Sequence, residues 1–234
     1  MRPSLTPVVA VDRDDARYVR AFLRLRVLVG ALGLALPFAL VLIDGVWLDG
    51  PFLRGSLSAY YYSGAREVFV GALTAIGVFL IAYKVAEVNL DNTLSVVAGA
   101  AVVCVALFPT SSARAALTPL QEEMGETFVS TIHYGAAAVF ISSLAVISYF
   151  YGKREGQREP RPGQRRSPRF WRTFHWACAA AIAAALAFIL FTEIFDVGPR
   201  RSLLYGEVAS VWAFAISWLW KGLEVDMLRG RHGR

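Results

Sequence analysis

An all-α integral membrane bundle of six transmembrane helices, with both termini cytoplasmic, is the fold this sequence predicts. Three observations carry it. Six apolar stretches follow one another along the 234 residues, each close to the ~20 residues a helix needs to cross the hydrocarbon core. Their charge-free runs are nearly continuous, whereas a helix on the surface of a soluble protein alternates an apolar and a polar face. Lys and Arg gather in alternate connections, the pattern that sets orientation in a membrane. A hydrophobic share of 56% and a mean hydropathy of +0.48 exceed those of ordinary soluble domains. The spans leave room for one domain with polar tails.

Residues 1–20 form the first tail. Their Asp12, Arg13, Asp14, Asp15, Arg17 and Arg20 are unlike a cleavable signal, so the first stretch, Leu25–Ile43, is expected to be retained as a span and kinked at Pro37. Gly45, Gly50, Pro51 and Gly55 break the next connection. The second stretch, Gly64–Tyr83, has 16 charge-free residues from Val68 onward and reaches span length only by taking in Arg66 and Glu67. The third is Thr93–Pro109. Within the connection that follows, Ala115–Phe128 is expected to lie along the membrane surface as a short helix, with Leu117, Leu120, Met124 and Phe128 on one side. The fourth stretch, Ser130–Tyr151, leads into a basic linker, 152–172, expected to be polar and flexible over Arg158–Pro168, with its Pro160, Pro162 and Gly163. Thr173–Thr192 and Ser202–Trp220 complete a transmembrane domain of 21–222, and 223–234 form the second tail.

Charge placement orients the bundle. If successive connections alternate sides, 19 of the 24 Lys and Arg residues fall on the side of the two tails and the 152–172 linker, which places those segments in the cytoplasm. Such a basic strip attracts anionic lipid headgroups, at about 1 kcal/mol per charge. It lacks the interleaved aromatics that stack on bases, so nucleic acid is not an expected partner. Cys104 and Cys178 lie inside spans without metal-type spacing and read as packing residues.

The informative residues are polar ones at span ends. Only 13 charge-free residues separate Glu207 from Lys221, so a full sixth span includes Glu207, roughly 8 Å inside its outer end. Charges in the hydrocarbon region cost at least ~2.5 kcal/mol each and normally face the bundle interior or a wet cavity. The same outer level receives Asp44, Arg66 with Glu67, His133 and Glu193. These six residues are expected either to line an external-facing pocket or to pin helices together as ion pairs. In the first case Arg66 is the expected contact to a lipid phosphate or carboxylate, since guanidinium binds such groups bidentately. Glu67, Glu193 and Glu207 then balance its charge, with Asp44 beside them, and His133 reports external pH. On the sixth helix Glu207, Ser210, Phe214, Ser217 and Lys221 share one face; on the second Glu67, Gly71, Thr74 and Gly77 do, both suiting close helix packing.

The sequence therefore reads as a multi-pass membrane protein binding a lipid headgroup or small anion on its external side. A metal-dependent intramembrane lipid hydrolase using His133 and the outer carboxylates is the alternative, although one histidine is thin for a zinc site. Ser56, Ser58 and Ser63 lie nearby, but no G-x-S-x-G elbow surrounds them. No phosphate loop or dinucleotide fingerprint occurs, so no cofactor is expected.

The run SLSAYYYSGAREVFVGALTAIGVFLIAYK (Ser56–Lys84), Asp91–Asn92, ALFPT at Ala106–Thr110, His133–Tyr134 and SWLWKG at Ser217–Gly222 resemble a group of bacterial multi-pass membrane proteins defined by a domain of unknown function. The resemblance implies a compact helical protein of the bacterial cell membrane and brings no reaction with it. The ceramidase and progestin/adipoQ-receptor superfamily carries several metal-binding histidines on separate helices; this chain has one suitably placed, and that activity is not carried over.

Overall fold

The computed structural model describes residues 13–82, 90–113, 115–160 and 166–229, with side chains over 23–82, 92–113, 115–160 and 166–221. Among the described residues every regular element is helical: α1 (Arg13–Leu42), α2 (Arg66–Ala82), α3 (Leu90–Leu107), α4 (Pro119–Met124), α5 (Glu126–Gln157), α6 (Pro168–Phe195) and α7 (Ser202–Arg229). A π-helical turn, Ile43–Trp47, extends α1, and a 3₁₀ turn, Ser58–Tyr62, precedes α2.

Four helices are long and apolar enough to cross a membrane: Leu23–Trp47, Glu126–Gln157, Pro168–Phe195 and Ser202–Lys221. The 17 residues of α2 and 18 of α3 give only roughly 25–27 Å of helix, slightly less than a ~30 Å core. The connection between them, 83–89, lies outside the described residues, as do 1–12 and 230–234 of the two tails. Each of the six long helices packs on the next along the chain, α7 returns to α1, and α5 also touches α7 across the ring. Leu40, Tyr60, Phe69, Leu80, Val102, Leu144, Ile182 and Trp218 fill the interior. Phe38, Val78, Phe188, Phe191 and Ile194 face outward, as lipid-facing residues of such a bundle would.

Several expected boundaries move. The 152–172 linker is mostly helical, because α5 runs on to Gln157 and α6 starts at Pro168, leaving ten residues between them, of which 161–165 are outside the described set. Ser167 caps α6, its Oγ accepting from Phe170 N at 3.3 Å with Pro168 in the first turn. The surface helix expected over Ala115–Phe128 shrinks to α4. Thr118 and Gln121 form a capping box that starts it, and Gly125, at φ 89°, ends it, so Phe128 belongs to α5. Helix α1 continues through Pro37 and begins at Arg13, inside the segment expected to be a tail.

The small-residue seam on α2 is half right. Gly77 meets Gly99 of α3 so closely that a Cβ on either would lie 2.6–2.8 Å from the other's carbonyl oxygen, whereas Gly71 faces open space. On α7 the predicted face is the inward one: Ser210, Phe214 and Ser217 are buried.

Candidate functional site

The connection between α1 and α2, not Arg66, organises the outer polar layer. The π-helical end of α1 turns Asp44 inward, where it is 2% exposed. Arg54 answers from the connection, donating from Nε to Asp44 Oδ2 at 2.6 Å and from Nη2 to Oδ1 at 3.2 Å. This is the bidentate geometry that suits guanidinium to carboxylate. The Arg54 guanidinium also lies 5.8 Å from the centroid of the Tyr60 ring, which is fully buried.

Four residues further on, the 3₁₀ turn reaches α5 and α7. Glu207 Oε2 accepts from Leu57 N at 2.6 Å, and its Oε1 accepts from Ser58 Oγ at 3.2 Å. An acid inside α7 is thus held by the first N–H groups of a helical turn, which have no partner within the turn itself. Ser58 Oγ also lies 2.9 Å from His133 Nε2, while His133 Nδ1 is 2.7 Å from Phe108 O. A carbonyl only accepts, so Nδ1 carries the hydrogen and Nε2 of the neutral ring turns its lone pair to Ser58. His133 and Ser58 are both buried.

Beside this network a pocket of about 290 Å³ is lined by Arg54, Ala59, Tyr62, Thr110, Ser111, Ser112 and Ala113. Its walls are cross-tied. Tyr62 OH donates to Thr110 O at 2.6 Å, Gln121 Nε2 donates to the same carbonyl at 3.2 Å, and Thr110 Oγ1 donates to Tyr134 OH at 2.7 Å. Burial raises the Tyr62 phenol above its ordinary pKa, against the lowering effect of its contact with Gln121, so it stays a neutral donor. The Arg54 guanidinium and the Tyr62, Thr110, Ser111 and Ser112 hydroxyls are the polar groups of its lining.

The six expected site residues divide. Asp44, His133 and Glu207 turn inward, each held by the 54–58 segment or by a group bonded to it. Arg66, Glu67 and Glu193 are exposed. The Arg66 guanidinium lies 4.3 Å from the centroid of the Tyr61 ring and donates to Tyr61 OH at 2.7 Å, at the rim rather than in the pocket. Arg54, which the sequence did not single out, and Ser58, noted there only with Ser56 and Ser63 and set aside for want of an elbow, hold this layer together. Both sit in a connection, where polar residues are expected and carry no signal of depth. Among the described residues no group of three His, Cys, Asp or Glu side chains is placed to hold a metal ion. Asp44 is bonded to Arg54, and both ring nitrogens of His133 are engaged, by Phe108 O and Ser58 Oγ.

A second polar layer, at the opposite end, was also missed. Glu155 is 1% exposed and pairs with Lys221 of α7 and, at 3.4 Å, with Arg158. Arg26 of α1, also buried, donates from Nε to Trp218 O at 3.2 Å, and Trp218 Nε1 donates back to Arg26 O at 2.9 Å. Its guanidinium lies 4.5 Å from the Trp218 ring centroid and 4.9 Å from that of Tyr151, both within cation–π range. His175 Nδ1 and Ser217 Oγ, 2.8 Å apart, join α6 to α7. These contacts fasten α1, α5, α6 and α7 to one another.

No family model, no curated protein and no solved structure matches this chain, so the site is read from its own geometry.

Proposed function

We propose that this chain is a six-span protein of a bacterial cell membrane that binds the anionic headgroup of a lipid, or a small anion of the same chemistry, in the outer pocket beside Arg54. The observation that carries the reading is the pocket itself: a guanidinium held in place by a buried carboxylate, facing a wall of Tyr62, Thr110, Ser111 and Ser112. Apolar Trp47, Phe52, Ile194 and Phe195 are exposed near the same end, which suits a pocket reached from the lipid phase. In this reading α2 and α3 also span, the tails and the 152–172 segment are cytoplasmic, and the basic residues of that segment contact anionic headgroups on the inner leaflet.

Native mass spectrometry of the purified protein tests it. The parent should retain an anionic phospholipid. The paired change Arg54→Gln with Asp44→Asn, which removes the cation without stranding the acid, should weaken retention roughly tenfold or more, as expected for hydrogen bonds to a charged group. Arg66→Gln should leave retention unchanged. Retention of phosphate but not phospholipid would assign the pocket to a free anion. Equal retention by the paired variant and the parent would refute the reading.

A further inference from the structure

We propose that Ser58 and His133 form a nucleophile–base pair that hydrolyses a carboxylic ester of the lipid bound at the pocket; the substrate class, though not the pair itself, rests on the headgroup reading above. The pair has the three parts such chemistry needs in sequence: a hydroxyl, a base within hydrogen-bond reach, and a third group orienting the base. Ser58 Oγ is 2.9 Å from His133 Nε2, and Phe108 O, 2.7 Å from Nδ1, fixes the tautomer that leaves Nε2 free to take a proton. Here a backbone carbonyl does the orienting that a carboxylate does in many triads.

Proton counting gives Glu207 a definite place. Ser58 has one hydroxyl hydrogen and two acceptors, His133 Nε2 and Glu207 Oε1 at 3.2 Å. Turned to His133, it readies Oγ for attack; turned to Glu207, it leaves Oγ idle. Glu207, anchored by Leu57 N at 2.6 Å, is a positioning residue. The pair also lies directly behind the pocket wall. Ala59 follows Ser58, Thr110 is two residues beyond Phe108, and Tyr134, next to His133, bonds Thr110; Ala59 and Thr110 both line the pocket. Ser58 and His133 are themselves buried and do not line the pocket, so an ester on a headgroup seated beside Arg54 would meet the hydroxyl through the wall formed by Ala59 and Thr110.

In the reaction Ser58 Oγ adds to the ester carbonyl carbon as its proton passes to His133 Nε2. Collapse breaks the bond to the alkoxide, which takes that proton and departs as the lysolipid, leaving acyl-Ser58. Water then adds to the acyl carbon, passing its proton to His133. The Ser58 bond breaks, Oγ recovers the proton, and the fatty acid leaves. Ester and water become acid and alcohol, with no metal or redox partner.

A fluorophosphonate probe, which attacks activated serines and needs no headgroup pocket, tests the pair on the purified full chain in nanodiscs. Peptide mass spectrometry should find the adduct at Ser58 in the parent and in Arg66→Gln, and not in Ser58→Ala. His133→Asn, whose amide sits where Nδ1 donates to Phe108 O, should slow labelling by about 10²–10⁴, the range for loss of a general base. Phosphatidylglycerol vesicles should release fatty acid with the parent and not with Ser58→Ala. If Ser58→Ala fails to fold, Ser58→Gly, which likewise lacks the hydroxyl, replaces it in the comparison. No adduct at Ser58 in protein that melts cooperatively, or an adduct without fatty-acid release, overturns the proposal. Unchanged lipid retention in Arg54→Gln/Asp44→Asn, with Ser58 labelled in the parent, would instead refute the headgroup reading alone.

Discussion

Asp44 is 2% exposed and Arg54 is 21% exposed, so the two halves of their pair are not equivalent. Arg54→Ala strands a buried carboxylate and should cost about 3–5 kcal/mol, the usual penalty for an uncompensated buried charge. Asp44→Ala frees an arginine that can reach water, so it should cost distinctly less. Chemical denaturation of the two variants in mild detergent measures the difference, and equal losses would show that the arginine is as confined as the acid. Arg66→Ala, at the exposed rim, should stay within about 0.5 kcal/mol of the parent. The same contrast explains what was legible in single residues. Asp44, His133 and Glu207 betrayed themselves because a polar group in or at the end of an apolar run is costly and must have a reason. Arg66 satisfied the same criterion and yet faces outward, because the first turn of α2 lies at the rim where a guanidinium reaches Tyr61. Hydropathy measures depth along a helix and not the direction around it.

Between elements, the sharpest constraint is the approach of α2 to α3 at Gly77 and Gly99. A Cβ on Gly99 would lie 2.6 Å from Gly77 O, so Gly99→Ala forces the helices apart and should cost about 1–3 kcal/mol, as overpacking does. Gly71→Ala, one helical face away in open space, should be neutral or stabilise by up to about 1 kcal/mol through helix propensity. Melting temperatures of the two variants separate these outcomes. At the opposite end Lys221→Met leaves Glu155 with Arg158 at 3.4 Å as the cation of that contact pair, and should destabilise by several kcal/mol; Glu155→Leu beside it should restore part of the loss. The helices themselves were legible from their apolar cores, but their ends were not. Lys153, Arg154, Glu155 and Gln157 read as a linker because they are charged or polar, yet Lys, Arg, Glu and Gln are good helix formers and continue α5. Gly125 ended α4 by backbone conformation, a signal that competing apolar spacing at Leu120, Met124 and Phe128 had masked.

For the whole molecule, the ring of α1, α2, α3, α5, α6 and α7 is closed by packing of each helix on the next and of α7 on α1. The two polar layers at its ends then follow from chemistry: each terminates the apolar core with acids, cations and hydroxyls that hold one another. The ring order does not say which end faces the cytoplasm; in the six-span reading proposed above, 19 of the 24 Lys and Arg residues fall on one side, the side that charge placement would assign to the cytoplasm. Placing the Arg54 pocket outside the cell depends on that orientation and on α2 and α3 crossing the membrane. Single cysteines in a Cys104→Ala/Cys178→Ala background test both at once. Pro51→Cys, Glu123→Cys and Pro199→Cys, all at exposed positions, should react in intact cells with a membrane-impermeant thiol reagent, and Pro160→Cys should react only after the cells are opened. Labelling of position 160 from outside, or protection of position 51, 123 or 199, would contradict the account.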